Sequence, residues 1–453
     1  MNDVVAALRT ELNDAVHAPG DDEYAKATTP HNSSHRQRPC AVVRPASAEQ
    51  VARAVAVASR LGVTVAVQAT GHGAGSPIDD DQVLLDTSAL TGVAIGASAG
   101  IARVAAGEAW PAVQRAGQVY GLLGLSGTSS TVGVAGYTFG GGVGWFVRKY
   151  GLASSALHAV DYVDGAGRLR RASEDAPDSL DREAIWAFRG GAPVGIATAI
   201  EIELVRIPDL WTGYLLWPES ALPAVIAGWA SALELVSESV TSSLSLLRLP
   251  DEGPFPAALL GTPVVHLSYA STDGADHLDV MRAAVRDAAT PVVDTTGPGN
   301  LESLSAIHLD PPNPVPARGT GRWLGPAATD VVAAMFGAAR VGKPGGLSMI
   351  EVRHTDSEAH ALDGALTAVP APFLLHAVGA GVDDDAMGAV DEALRAVEGA
   401  AQVTDAGRAA PAFRDGQPDV RDAWSSPELV RLRNVRAALD PDRVLKFARH
   451  PAF

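Results

Sequence analysis

The chain has 453 residues, 47% of them hydrophobic, which is enough for two or three domains that each bury a core. Lys and Arg number 35 against 52 Asp and Glu, a net charge of −17 that repels polyanions and argues against nucleic acid or an anionic membrane surface as partner. A single cysteine, Cys40, excludes an intramolecular disulfide, a cysteine-ligated zinc site and a redox pair.

Residues 1 to about 38 begin with an amphipathic segment, Val4 to Val16, read as a surface helix. Charges recur every few residues there, so no signal-peptide core is visible, and no run of about 18 apolar residues occurs anywhere. The expectation is a cytoplasmic protein without a membrane span. PCAVVRPASAEQVARAVAVASRLGVTVAVQATGHGAG reads as strand, helix, strand: Ser47 and Gln50 form a capping box, Val51, Val55 and Ala58 share a face, and Gly62 stops the helix. Cys40 is a small buried apolar residue of the first strand. The second strand runs into a loop that carries His72 between Gly71 and Gly73. VLLDTSAL is the next strand, VAIGASAGIARVAAGEAW a hairpin-like pair, and a short helix starts at Pro111.

Leu125 to Gly151 holds eight glycines and almost no charge before Arg148. Such density weakens helix and strand alike, so it suits backbone that turns sharply or lies close to another molecule. A flat or anionic group against this loop is the expectation. No long amphipathic helix starts after Gly142, which disfavours a dinucleotide-binding Rossmann unit. HAVDYVDGAGRLRRA is a hairpin around Asp164 to Gly167, a helix ends at IWAFRGG, and GIATAIEIELVRI is a strand.

Pro208 marks a boundary, and from Trp211 strands alternate with amphipathic helices: GYLLW, SLSLLRL, VVHLSYA, PVVDTT, LSMIEVRH and PFLLHAVGA, with helices from Glu219, Asp276, Ala327 and Asp384. That pattern is an antiparallel sheet covered on one face by helices, its other face open to a substrate. DPPNPVPARGTGRW, around residues 310 to 323, has no periodicity and reads either as a lid or as a plain connection. In PFLLHAVGA, His376 is the only polar side chain, and imidazole titrates near neutrality. It is either a hydrogen-bonded core histidine or a base. Alternation in MIEVRH puts Glu351 and Arg353 on one face, as a salt-bridged sheet surface or as part of a site. There is no HExxH, CxxC, GxSxG or Walker motif, and no metal-ligand spacing among the 12 histidines.

The glycine loop, the following RKYGLASSALHAVDYVDGAGRL, IWAFRGG from Ile185 and TGHGAG from Thr70 together resemble the berberine-bridge-enzyme-like FAD oxidases of the vanillyl-alcohol-oxidase superfamily, in their bacterial form. The resemblance covers most of the chain and is most specific in its first half. It implies an α+β fold, with a PCMH-type two-subdomain FAD-binding domain over residues 1–208, a substrate domain over 209–410, and a C-terminal segment, 411–453, that returns to the FAD domain. It implies FAD bonded covalently through His72, with Thr70, Gly71 and Gly73 beside it. Where many relatives attach the flavin a second time through cysteine, this chain has Ser129, so one covalent bond is expected. Thr131, Gly133, Gly136, Gly141, Gly142, Gly195 and Ile196 are the further implied cofactor contacts. Val132 matches a position that gates oxygen, and valine there is of the oxidase kind. Tyr137 falls near the flavin's pyrimidine end, or simply packs beneath the loop. His376, Tyr137 and Glu351 are the implied catalytic candidates, with a small-molecule substrate, dioxygen as acceptor and no metal. The implied reaction is hydride transfer from a C–H next to O or N of an alcohol, sugar, amine or natural product, with peroxide as by-product. A dehydrogenase with another acceptor, and a protein that sequesters or detoxifies a metabolite, are the alternatives. The chain departs from the family at Gln68, at Gly73, at Ala192 to Val194, and near Ala448 and His450.

Overall fold

The computed structural model describes residues 2–311 and 313–448; Pro312 and His450, on which two expectations touch, lie outside them. Helix Ala48–Leu61 is capped as its sequence requires: Ser47 accepts from the Gln50 amide, and Gly62 closes it at φ 65°. It connects Ala41–Val43 to Thr64–Gln68 in a five-stranded sheet whose strands Ala41–Val43, Gln82–Asp86, Thr64–Gln68 and Leu445–Lys446 are parallel neighbours in that order. The last of these comes from the far end of the chain. Asp440, buried after helix Ser426–Leu439, accepts from the amides of Val444 and Leu445 and turns the chain back. Cys40 is buried at the edge of this sheet.

A second five-stranded sheet is antiparallel throughout, ordered Val93–Gly96, Ile101–Ala105, Ile196–Glu203, Leu157–Val163, Leu169–Ser173. The last two strands form the hairpin around Asp164, whose carboxylate accepts from the amides of Ala166 and Arg168.

The largest sheet runs Trp211–Pro218, Pro263–Ser271, Val240–Arg248, Met349–His354, Phe373–Ala380, Ala317–Leu324, Asp405–Ala409, every pairing antiparallel. Helices Leu222–Leu233, Asp276–Ala288, Ala328–Ala339 and Asp384–Ala401 cover one face and bury Trp217, Trp229, Met335 and Phe336 against Leu244, Ile350 and Leu375. Each such side chain removed from water contributes about 1.5–3 kcal/mol. The other face looks toward the glycine loop.

One expectation changes here. Ala317–Leu324, read as the end of an aperiodic loop, is a central strand between Phe373–Ala380 and Asp405–Ala409. Its glycines and arginines hide it. A Cβ on Gly321 would lie 2.5 Å from Phe413 Cβ, so glycine there makes room for a neighbour and does not break the strand. Arg318 and Arg322 are tied to Asp391 and Asp405.

Candidate functional site

The glycine loop folds as two short helical turns, Val134–Phe139 and Val147–Tyr150, joined through Gly140 to Gly144. Part of its glycine content answers to a tyrosine of its own. A Cβ on Gly127 would lie 2.8 Å from the Tyr137 ring, and one on Gly142 would lie 2.6 Å from it. Gly142 also sits at φ 72°. Gly141, at φ 96°, faces Leu366. Gly141 and Gly142, expected against the cofactor, therefore shape the loop and do not line the cavity in front of it.

That cavity, about 1130 Å³, lies between the loop and the open face of the large sheet. Its first wall carries Thr70, Gly71, His72 and Gly73, then Ser129, Val132, Gly133, Gly136 and Tyr137, then Gly195 and Ile196. Gly71 adopts φ 76° and packs on Pro30, where a Cβ would be 2.5 Å from Pro30 Cβ. The His72 ring stacks on His31 with centroids 3.7 Å apart, and its Nε2 is 2.7 Å from Thr131 Oγ1, itself 3.0 Å from Ser129 Oγ. Thr131 thus meets His72 without lining the cavity. Gln68, where the resemblance has arginine, accepts from Gln37 Nε2 and donates to Ala27 O.

The opposite wall comes from register. Ser245, Glu351 and His376 face one another across adjacent strands, and two residues further on so do Leu247, Met349 and Val378. Behind His376 lies a buried ionic cluster. Glu351 is 0% exposed and does not reach the cavity. It accepts from Arg353 Nη2 at 3.0 Å, Ser243 Oγ at 2.6 Å and His308 Nε2 at 2.9 Å. The expectation of a sheet surface for Glu351 and Arg353 fails because both are enclosed: Arg353 donates to Val143 O and lies 5.0 Å over the Trp145 ring. Burial would raise the Glu351 carboxyl, but Arg353 and His308 outweigh it and hold it well below the usual range.

His308 joins this cluster to the cavity. Its Nδ1 donates to Asp310 Oδ1 at 2.9 Å. Burial opposes its charge, yet Asp310 and Glu351 on its two nitrogens lift it to about 10, and Asp310 in turn is held at about 2 against burial, chiefly by His308. His376 is 11% exposed; its Nε2 is 3.1 Å from Asp415 Oδ2 and its Nδ1 3.7 Å from Glu351 Oε1. Burial lowers it, and the bonds to Asp415 and Glu351 more than reverse that, so it is raised above an ordinary imidazole. The Tyr137 hydroxyl is buried without a hydrogen-bond partner, and burial pushes its phenol up.

His31, His308, Asp310 and Asp415 were not found by sequence reasoning. Each sits in a segment without period, and the only visible signals were the His-x-Asp spacing of IHLD and the acid in FRDG. Distant segments supply them, and only the fold brings them together.

Residues 39–173 match a family described as FAD binding domain. The chain is 27% identical over 300 residues to (R)-6-hydroxynicotine oxidase of Paenarthrobacter nicotinovorans, covering 64% of this chain and 62% of that protein. It is 29% identical over 240 residues to berberine bridge enzyme-like D-1 of Nicotiana tabacum, covering 49% and 40%. The chain thus spans less than two thirds of the length of these curated relatives. Among solved structures, Physcomitrella patens BBE-like 1 superposes with TM-score 0.81 at 18% identity over 99% of both chains. 6-Hydroxy-D-nicotine oxidase of Arthrobacter nicotinovorans gives 0.81 at 20% over 96% of both. With an FAD-binding domain in its first half, these relatives in sequence and this fold throughout, the chain belongs with the berberine-bridge-enzyme-like FAD-binding proteins.

Proposed function

We propose that this protein is an FAD-dependent oxidase, with residues 1–208 and 411–453 holding the cofactor and 209–410 the substrate. The observation that carries the reading is a single cavity with His72 and the glycine loop on one wall and a charged imidazole cluster on the other. The residues present fit FAD. The cavity exceeds the roughly 300–1,000 Å³ of a small-ligand pocket, so it has room for a dinucleotide and a substrate. A Cβ on Gly136 would meet nothing within 4 Å, so backbone there borders open space. Buried His31 Nε2 and Tyr137 Oη on the same wall have no partner within the protein.

His72 is the covalent attachment point, its ring held by the His31 stack and by Thr131. Thr70, Gly71, Gly73, Ser129, Gly133, Gly136, Gly195 and Ile196 border the cofactor, and Val132 lies beside it as the oxygen-admitting residue. The wild-type grass pollen allergen Phl p 4, a structural neighbour at TM-score 0.79, is a glucose dehydrogenase, while a variant with isoleucine changed to valine is a glucose oxidase, which favours the oxidase reading of a valine.

When bound, the flavin supplies a two-electron acceptor for hydride at N5 that dioxygen reoxidises with release of peroxide. The protein's part is to take the O–H or N–H proton and to hold the carbon in line. His376 is placed for the first task, and Asp415, by accepting from Nε2, leaves Nδ1 as the nitrogen that receives the proton. Glu351, being enclosed, acts through His308 and His376 and is a positioning residue. The Phe413 ring, edge-on to His376 at 4.9 Å, keeps water from it.

Acid precipitation of the purified protein tests the reading. Flavin colour is expected in the pellet, and in the supernatant for His72→Ala. Colour in the supernatant of both would remove the covalent bond, and no colour in either would remove the cofactor. Flavin reduced without peroxide would make the protein a dehydrogenase.

A further inference from the structure

The substrate-facing half of the cavity sorts its side chains along the strands. In the row nearest the glycine loop, the groups that reach the cavity are His376 and, from the adjoining segments, His308, Asp310 and Asp415. One pleat repeat further out, about 7 Å along the strands, the same three strands present Leu247, Met349 and Val378. Leu249, Phe255 and Leu309 extend that apolar surface. Arg248, the one cation at this end of the cavity lining, is exposed and tied to Asp251 at 2.7 Å.

The polar end is also balanced in charge. Arg353 and His308 are set against Glu351 and Asp310, and His376 against Asp415. Every carboxylate there is already engaged, so none is left to pair with an ammonium group, and neither cation is left for a carboxylate. Buried charge is tolerated only when paired, and buried hydroxyls only when bonded. A sugar would press several hydroxyls onto Leu247, Met349 and Val378, which offer them nothing.

Resting on the oxidase reading above, we infer that the substrate is a neutral, mainly apolar alcohol, with one hydroxyl placed at the His308–His376 end and a ring or chain lying over Leu247, Met349 and Val378. Sugars and charged amines are rejected. In the reaction the carbinol C–H bond breaks as hydride, with its electron pair, passes to the flavin. The O–H proton goes to His376, the C=O bond forms, and the two electrons pass on with two protons to dioxygen, giving hydrogen peroxide and the aldehyde or ketone.

Two readouts on the purified holoprotein test this. The first is anaerobic bleaching of the flavin band by equal concentrations of cinnamyl alcohol, D-glucose and N-methylpyrrolidine. The second is a titration of tryptophan fluorescence with the same three compounds, since Trp145 lies 6.1 Å from His308 and Trp424 lines the cavity. Cinnamyl alcohol is expected to bleach at least about tenfold faster than the others and alone to quench. Met349→Gln and Leu247→Asn are expected to raise its KM by about tenfold with kcat little changed and flavin content intact. Preference for glucose or the amine overturns the inference, and so does coloured protein that cinnamyl alcohol neither bleaches nor quenches. Colourless protein would instead sink the flavin reading, and the fluorescence titration would still show which compound the cavity prefers.

Discussion

The two walls of the cavity are built on opposite principles. The first is backbone: two glycine-bearing segments that run nearly consecutively in the chain and present few charges. The second is side chains, drawn from strands and loops between Ser243 and Asp415 and locked into one ionic cluster. A wall of backbone tolerates loss of a side chain but not the gain of one, whereas a wall of paired charges fails as soon as one partner is removed. The contrast predicts where each wall breaks.

The largest effect is expected on the second wall. Glu351→Ala leaves Arg353 and His308 enclosed without their shared counter-ion, and breaking a buried pair in this way costs about 3–5 kcal/mol. Denaturant unfolding of the variant checks it. A loss near that of an exposed pair, below about 1 kcal/mol, would mean that the cluster is hydrated and that the wall is not the rigid element described.

The first wall is next. Gly142→Ala puts a methyl 2.6 Å from the Tyr137 ring at φ 72° and should cost about 2–4 kcal/mol in the same assay. Gly136→Ala, in a helical turn with open space before it, should leave unfolding nearly unchanged and lower flavin content instead. If both variants lost stability equally, the division between glycines that serve Tyr137 and glycines that serve the cofactor would collapse.

These walls differed in legibility for the same reason. Helix Ala48–Leu61, the hairpin at Asp164 and the helix-covered sheet follow from local periodicity, capping and turn residues, which act over a few neighbours. So does the place of His72, because a histidine flanked by glycines at a strand end is visible in one glance. Glu351 and His376 were visible as polar residues in strands, but their burial was not, since alternation tells which face a residue takes and not what covers that face. His308 and Asp310 could not be read at all: their meaning lies in a contact with Glu351, 43 residues away from His308. Strand Ala317–Leu324 was missed because its glycines answer to Phe413 and Asp415, which arrive from the end of the chain.

The titration of His376 sharpens the comparison at smaller scale. A base must be neutral to accept a proton, and Asp415 and Glu351 raise this imidazole, so the flavin-reduction rate should climb with pH above the ordinary imidazole range. Asp415→Asn removes one of those carboxylates, so the rising limb should move to lower pH with flavin content unchanged. His376→Ala should abolish the limb and slow reduction by about 100-fold or more. A limb that stays in place in both variants would assign the proton to another group.

The smallest effect belongs to the junction of the two walls. Ala192 is buried at φ 74°, where an L-residue is strained by about 1–2 kcal/mol, and Pro193 follows it, which favours extended backbone for the residue before. Its amide donates to Phe139 O at 3.2 Å, so the conformation is held by the loop it borders. Ala192→Gly relieves the strain but gives the unfolded chain more freedom, worth about 0.5–1 kcal/mol in the opposite direction. The expected net is a gain of at most about 1 kcal/mol in denaturant unfolding. This is also where the chain departs from the turn its resemblance implies, and Ala192 and Pro193 both border the cavity. A gain in stability with faster loss of activity on heating would show that the strained turn holds the two walls in register; a loss of stability would show that the left-handed conformation is not the one this position adopts.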